Sequence, residues 1–161
     1  MYGLVRYDGY RFRKFNWQAN DRFSLAGDFV SALWPARDGR LWIGTNSSGL
    51  SVFDPATERF ENFQHDPNVA SSLGGGRISA LAGDAQGGMW IATDQGLSFL
   101  PRGAKSFRQL RQEATASGSA NRSLLSDKVR SLLLDKRGRL WVGSSNGLQR
   151  LASDGKQFET L

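Results

Sequence analysis

The single histidine, His65, stands beside Asp66, and a serine nucleophile would turn that pair into a charge-relay site. No Gly-x-Ser-x-Gly elbow accompanies it, so His65 reads as a solvent-exposed loop residue. Gly44-Thr45-Asn46-Ser47-Ser48-Gly49 has the glycine spacing of a phosphate-cradling loop, but Leu50 stands where lysine is required. Gly74-Gly75-Gly76 lacks both the spacing and the strand–helix context of a dinucleotide site. The aspartates have no calcium-loop spacing. Paired carboxylates occur only as surface neighbours such as Glu58 and Glu61. With no cysteine there is neither a thiolate metal site nor a disulfide framework. The sequence therefore predicts no catalytic residue, no metal and no cofactor.

What must position any site is a repeated unit. An apolar pentamer occurs as Leu41-Trp42-Ile43-Gly44-Thr45, Met89-Trp90-Ile91-Ala92-Thr93 and Leu140-Trp141-Val142-Gly143-Ser144. Gly-Leu follows at Gly49 and Gly96 and again at Gly147, with a first copy at Gly3. Closing pairs lie at Phe12/Phe15, Phe60/Phe63, Phe107/Leu110 and Phe158/Leu161. Ahead of the pentamers come Val30-Ser31-Ala32-Leu33, Ile78-Ser79-Ala80-Leu81 and Val129-Arg130-Ser131-Leu132, each preceded by Ser-Leu at Ser24, Ser72 and Ser123. Turn chemistry such as Asp38-Gly39, Gly87-Gly88 and Asp8-Gly9 separates these runs. The connections into the next unit are longer and more polar, notably Gln112 to Arg122. Helical periodicity is absent from every long window. Each unit reads as four short strands, a to d, which is the pattern of a β-propeller blade.

The predicted fold is all-β, a partial propeller of about three and a half four-stranded blades. Residues 1–23 supply the outer strands of an incomplete first blade, followed by blades at 24–71, 72–122 and 123–161. Trp42, Trp90 and Trp141 are expected to pack between blades, and Gly44 and Gly143 to admit an adjacent backbone. Small residues at Ser31/Ala32 and Ser79/Ala80 suit an innermost strand, where blades converge. Propellers close with about four to eight blades. The expectation is an open arc whose flanks are covered by further blades or by another copy of the chain.

Binding is the more plausible chemistry on this scaffold. The b–c loops carry Asn46, Asp94, Gln95 and Asn146, with Ser47, Ser48 and Ser145. The d–a ends on the same face carry Asp28, Arg77, Asp127 and Lys128, and Arg130 replaces a small residue in strand a. Such groups could hydrogen-bond a small polar ligand, for example an oligosaccharide. Twenty-one Lys/Arg against fifteen Asp/Glu gives +6. The basic clusters Arg11/Arg13/Lys14, Arg102/Lys105/Arg108/Arg111 and Lys136/Arg137/Arg139 fall on different blades, whereas phosphate tracking wants one stripe. No nucleic-acid partner is expected. No apolar run approaches the roughly 18 residues of a membrane span, and the N-terminus lacks the pattern of a secretion signal.

Trp-Asp propellers, kelch repeats and the sialidase Asp-box each require landmarks that these units lack. The units resemble the two-component regulator propeller repeat, roughly V-x-x-L-x-x-D-x-x-G-x-L-W-I-G-T, then G-L and a closing F-x-x-F. Val129, Leu132, Asp135, Gly138, Leu140, Trp141, Val142 and Gly143 follow it nearly throughout, while Ala36, Ala92 and Pro101 depart from it. The opening GLVRYDGYRF is similar to a first blade that follows a Trp-Phe-Gly-Thr strand. The resemblance implies the periplasmic sensor part of a bacterial receptor, a hybrid histidine kinase or a diguanylate cyclase. It also implies attachment to the membrane only through flanking segments. The alternative is a structural or dimerisation segment with no small-molecule site.

Overall fold

A computed structural model describes residues 2–113, 123–153, 155 and 157–161. Most of the polar connection expected at Gln112–Arg122, and Asp154 of the last turn, lie outside the described residues. Strands β1 (Leu4–Tyr7) and β2 (Phe12–Phe15) form a two-stranded sheet. Three four-stranded antiparallel sheets follow in sequence order. The first holds β3 (Val30–Pro35), β4 (Leu41–Thr45), β5 (Leu50–Asp54) and β6 (Arg59–Phe63). The second holds β7 (Ile78–Gly83), β8 (Met89–Thr93), β9 (Gly96–Leu100) and β10 (Arg108–Leu110). The third holds β11 (Val129–Leu134), β12 (Leu140–Ser144), β13 (Gly147–Leu151) and β14 (Phe158–Thr160). The fold is an all-β partial propeller, one half-blade and three full blades.

Alternation along each strand gives every full sheet two apolar faces, and neighbouring sheets bury them against each other. Leu4, with Phe15 beside it, meets Ile43, Phe53 and Phe60 across the first seam. Trp42, Leu50 and Val52 meet Ile78, Leu81, Met89 and Leu100 across the second. Trp90, Ala92 and Leu97 meet Val129, Leu140, Val142 and Leu151 across the third. The leucines of the Ser-Leu landmarks, Leu25, Leu73 and Leu124, are buried plugs at the seams.

The innermost strands β3, β7 and β11 lie side by side. Each carries a β-bulge at its second residue, between Val30 and Ala32, Ile78 and Ala80, and Val129 and Ser131. A bulge re-aims the extra side chain. Ser31 Oγ thus donates to the Ile78 carbonyl and Ser79 Oγ to the Val129 carbonyl, both at 2.6 Å. Small residues in strand a are therefore stitches between blades. Gly44 fits the same seam, since a Cβ there would lie 2.5 Å from Ile78 Cγ2 of the next blade.

The Gly-Leu landmark has a similar cause. The amides of Gly3, Gly49 and Gly96 donate to the carbonyls of Asp28, Gly76 and Asp127 in the following blade, at 2.8, 2.9 and 2.7 Å. All three residues have positive φ, and a Cβ on each would strike the carbonyl oxygen of Phe15, Phe63 or Leu110. Gly49→Ala should therefore cost about 2–3 kcal/mol, strain plus a backbone clash. Gly39 also has positive φ, but a Cβ there meets open space. Gly39→Ala should cost only about 1 kcal/mol. Urea denaturation of the two variants separates the clash from the dihedral strain, and equal losses would remove the clash from the account.

The a–b turns explain one departure from the repeat. Ala36, Asp84 and Asp135 hold one position, each receiving the amide hydrogen of the turn glycine, Gly39, Gly87 or Gly138. Asp84 and Asp135 add a carboxylate that accepts turn amides; Ala36 cannot, and Asp38 instead accepts from Arg40 N and Nε. Asp135 is held well below the ordinary carboxylate range, first by the hydrogen bond from Trp141 Nε1 at 3.0 Å, then by the amide of Arg139. A depressed native pKa stabilises the fold above the unfolded value and ceases to do so as pH falls through the native one. Below about pH 4, stability of the native chain should thus fall more steeply with acid than that of Asp135→Asn. Parallel slopes in acid denaturation would contradict this.

Two expected seam residues have no facing sheet among the described residues. Trp141 and Gly143 lie on the outward face of the last sheet, which no further sheet covers among the described residues. Trp141 is half-buried between the guanidinium groups of Arg139 and Arg150. A Cβ on Gly143 would meet Ser131 Oγ of its own sheet. On this face Leu133 is 63% and Leu148 45% exposed, whereas Leu50 and Leu97, which match Leu148, are buried. At the opposite flank Leu33 is exposed because the half-blade offers no a–b strand pair to cover it.

Candidate functional site

The b–c loops meet the segments entering the innermost strands through one recurring hydrogen bond. Asn46, Asp94 and Ser145 amides donate to the carbonyls of Phe29, Arg77 and Lys128, at 2.8, 3.2 and 3.2 Å. Arg77 and Lys128 therefore occupy the same position in adjacent blades. Between them opens a cavity of about 400 Å³, lined by Asn46, Arg77, Asp94, Lys128 and Arg130. Its wall is the inner-strand seam, Ser31 and Ser79 with Ile78 and Val129.

Five of the nine rim residues singled out in the sequence thus converge on one cavity. The other four are placed elsewhere. Asp28 Oδ1 accepts from Trp17 N at 2.7 Å and Asn16 Nδ2 at 3.1 Å. Asp127 Oδ1 accepts from Gln112 N. Both carboxylates tie the end of one blade to the start of the next. Asn146 Nδ2 donates to the Leu125 carbonyl within its own blade. Gln95 faces a separate depression beside His65 and Arg111. The seam serines escaped notice as cavity residues, although their repetition at one position of strand a was a signal.

Arg77, Lys128 and Arg130 are exposed to solvent, and none has an ion-pair partner among the described residues. Several cations elsewhere are engaged: Arg13 with Glu58, Lys105 with Glu61, Arg150 with Glu159, and Arg108 over the rings of Trp90 and Phe99. His65 differs from its sequence reading. It is half-buried, with Nδ1 2.7 Å from the Leu73 carbonyl, so the ring secures a Ser-Leu loop. Among the described residues, no group of three or more His, Asp or Glu is placed to hold a metal ion.

Residues 72–95 and 123–146 match the two component regulator propeller family. Each matched segment runs from the Ser-Leu loop through strands a and b to the b–c loop, and so includes Arg77 and Asp94, or Lys128 and Arg130. No curated protein matches the chain. Among solved structures, 99% of the chain superposes on the extracellular domain assigned to the hybrid two component system BT3049 of B. thetaiotaomicron. The TM-score is 0.83, with 22% identity. The chain spans 22% of that protein's length. Virginiamycin B lyase from Staphylococcus aureus shares the fold at TM-score 0.58 and 14% identity, over 89% of this chain and 43% of the lyase. Among the described residues no helix is long and apolar enough to cross a membrane.

Proposed function

We propose that the chain is a non-catalytic recognition segment of an extracytoplasmic sensor propeller. The receptor would be a bacterial transmembrane protein that signals through a two-component relay or cyclic di-GMP. The observation that carries this reading is the pair of segments matching the regulator propeller family, whose inner ends, with Ser31 and Asn46 of the blade before them, line a solvent-open cavity holding Arg77, Lys128 and Arg130 without ion-pair partners among the described residues. A small polar ligand such as an oligosaccharide is the occupant. The flanks at Leu33 and at Leu133/Leu148 are covered by further blades of the same propeller or by a second copy.

The test is a titration of the isotope-labelled chain with neutral and acidic saccharides, followed by two-dimensional NMR. Saturable shifts centred on Asn46, Arg77, Asp94 and Lys128 are expected. The exposed flanks favour a second reading, a structural or dimerisation segment. No saturable shift with any saccharide, together with a mass that rises with concentration in sedimentation, would establish that reading instead.

A further inference from the structure

We propose that this cavity selects anionic ligands, compounds carrying a carboxylate or a sulfate or phosphate ester. The inference rests on the recognition reading above and names its ligand class. Three cations, Arg77, Lys128 and Arg130, line the cavity against one acid, Asp94. Hydrogen-bond inventory points the same way. Ser31 and Ser79 line the wall, but their hydroxyl protons are committed to the carbonyls of Ile78 and Val129. What remains free to meet a ligand is the hydroxyl lone pairs, the Asn46 amide, the Asp94 carboxylate and the three cationic donors. A neutral polyol can hydrogen-bond to this set, whereas an oxyanion in addition answers its excess of positive charge.

Arg130 is the distinguishing residue. It occupies the bulge position at which the other two inner strands carry the stitching serine. Its exposed side chain makes no bond to the described residues and lines the cavity. Arg77 and Lys128 hold matching places in adjacent blades, so the three charges surround one space.

Glucose, glucuronate and glucose 6-sulfate share a ring and differ in charge, so they isolate this property. Calorimetry or NMR titration of the full chain at fixed ionic strength should give both charged sugars at least about 10-fold tighter binding than glucose. Raising the salt should erase most of that difference. Arg77→Gln and Lys128→Gln should each weaken glucuronate about 5-fold or more. Arg130→Ser installs the residue of the other two strands, so it tests the charge without disturbing the fold. It should weaken glucuronate to a similar extent. Asp94→Asn, by removing the only negative charge, should tighten it about 3-fold or more. Glucose binding in the cavity as well as glucuronate, or a weaker Asp94→Asn, would overturn the anion proposal while leaving the recognition reading intact. Absence of any saturable binding would remove both. A preference for glucose 6-sulfate over glucuronate, or the reverse, identifies which oxyanion the site takes.

Discussion

Trp90→Ala is expected to remove about 3–5 kcal/mol of unfolding free energy, while Trp141→Ala removes about 1–2 kcal/mol. The two tryptophans are the same residue of the same repeat, each at the second position of strand b. Trp90 pairs across the sheet with Ala82, and Trp141 with Leu133. Their surroundings differ. Trp90 is buried, its ring 4.4 Å from that of Phe99, in one apolar cluster with Val129, Leu140 and Val142 of the next blade. Truncating it leaves a cavity between two sheets that cannot collapse without shifting whole strands. Trp141 has no facing sheet among the described residues, so its removal opens no void and returns to water only a partly exposed ring. Urea denaturation at low protein concentration measures both. Equal losses would mean that the outward face of the last sheet is covered in solution. A mass that falls on dilution, with the Trp141→Ala loss falling alongside it, would identify the cover as a second copy.

That comparison shows what a repeat can and cannot disclose. Strand order, turns and the partial-propeller architecture were legible because each landmark reports a local requirement. Gly49 must have positive φ, and Ile43 and Trp42 alternate because both faces of β4 are buried. That Trp141 is only half-buried was not legible, because burial belongs to the neighbour, not to the residue. The same holds for Gly143. On the site, charge and position were enough to choose Arg77, Asp94, Lys128 and Arg130. The separation of Asp28 and Asp127 from them was not legible, because their carboxylates are used by backbone amides of the preceding blade. A pattern of residue types carries no record of which backbone donors a fold will leave unpaired. His65 illustrates the same gap, since nothing in its neighbourhood of sequence announces the Leu73 carbonyl.

Gln149→Leu should lower stability by about 2–5 kcal/mol, the cost of two orphaned backbone groups. Gln149 is buried, donates Nε2 to the Ser123 carbonyl at 3.0 Å, and accepts the Leu125 amide on Oε1 at 2.8 Å. One side chain thus fastens the whole Ser-Leu loop ahead of β11. The other blades divide that work between two residues facing each other across strands c and d. In the first full blade Asn62 holds the Ser24 carbonyl while Ser51 accepts the Ala26 amide. In the second, Gln109 holds the Ser72 carbonyl while Ser98 accepts the Gly74 amide. The facing pairs are Ser51 with Asn62, Ser98 with Gln109, and Gln149 with Thr160. Gln149→Ser alone should therefore leave the Ser123 carbonyl without its donor. Gln149→Ser combined with Thr160→Gln transplants the arrangement of the second full blade and should recover most of the loss. Hydrogen exchange at the Leu125 amide supplies a local readout. It should accelerate in Gln149→Leu and slow again in the double variant. A double variant no more stable than Gln149→Ser would show that the loop is held by the buried Leu124 rather than by these hydrogen bonds.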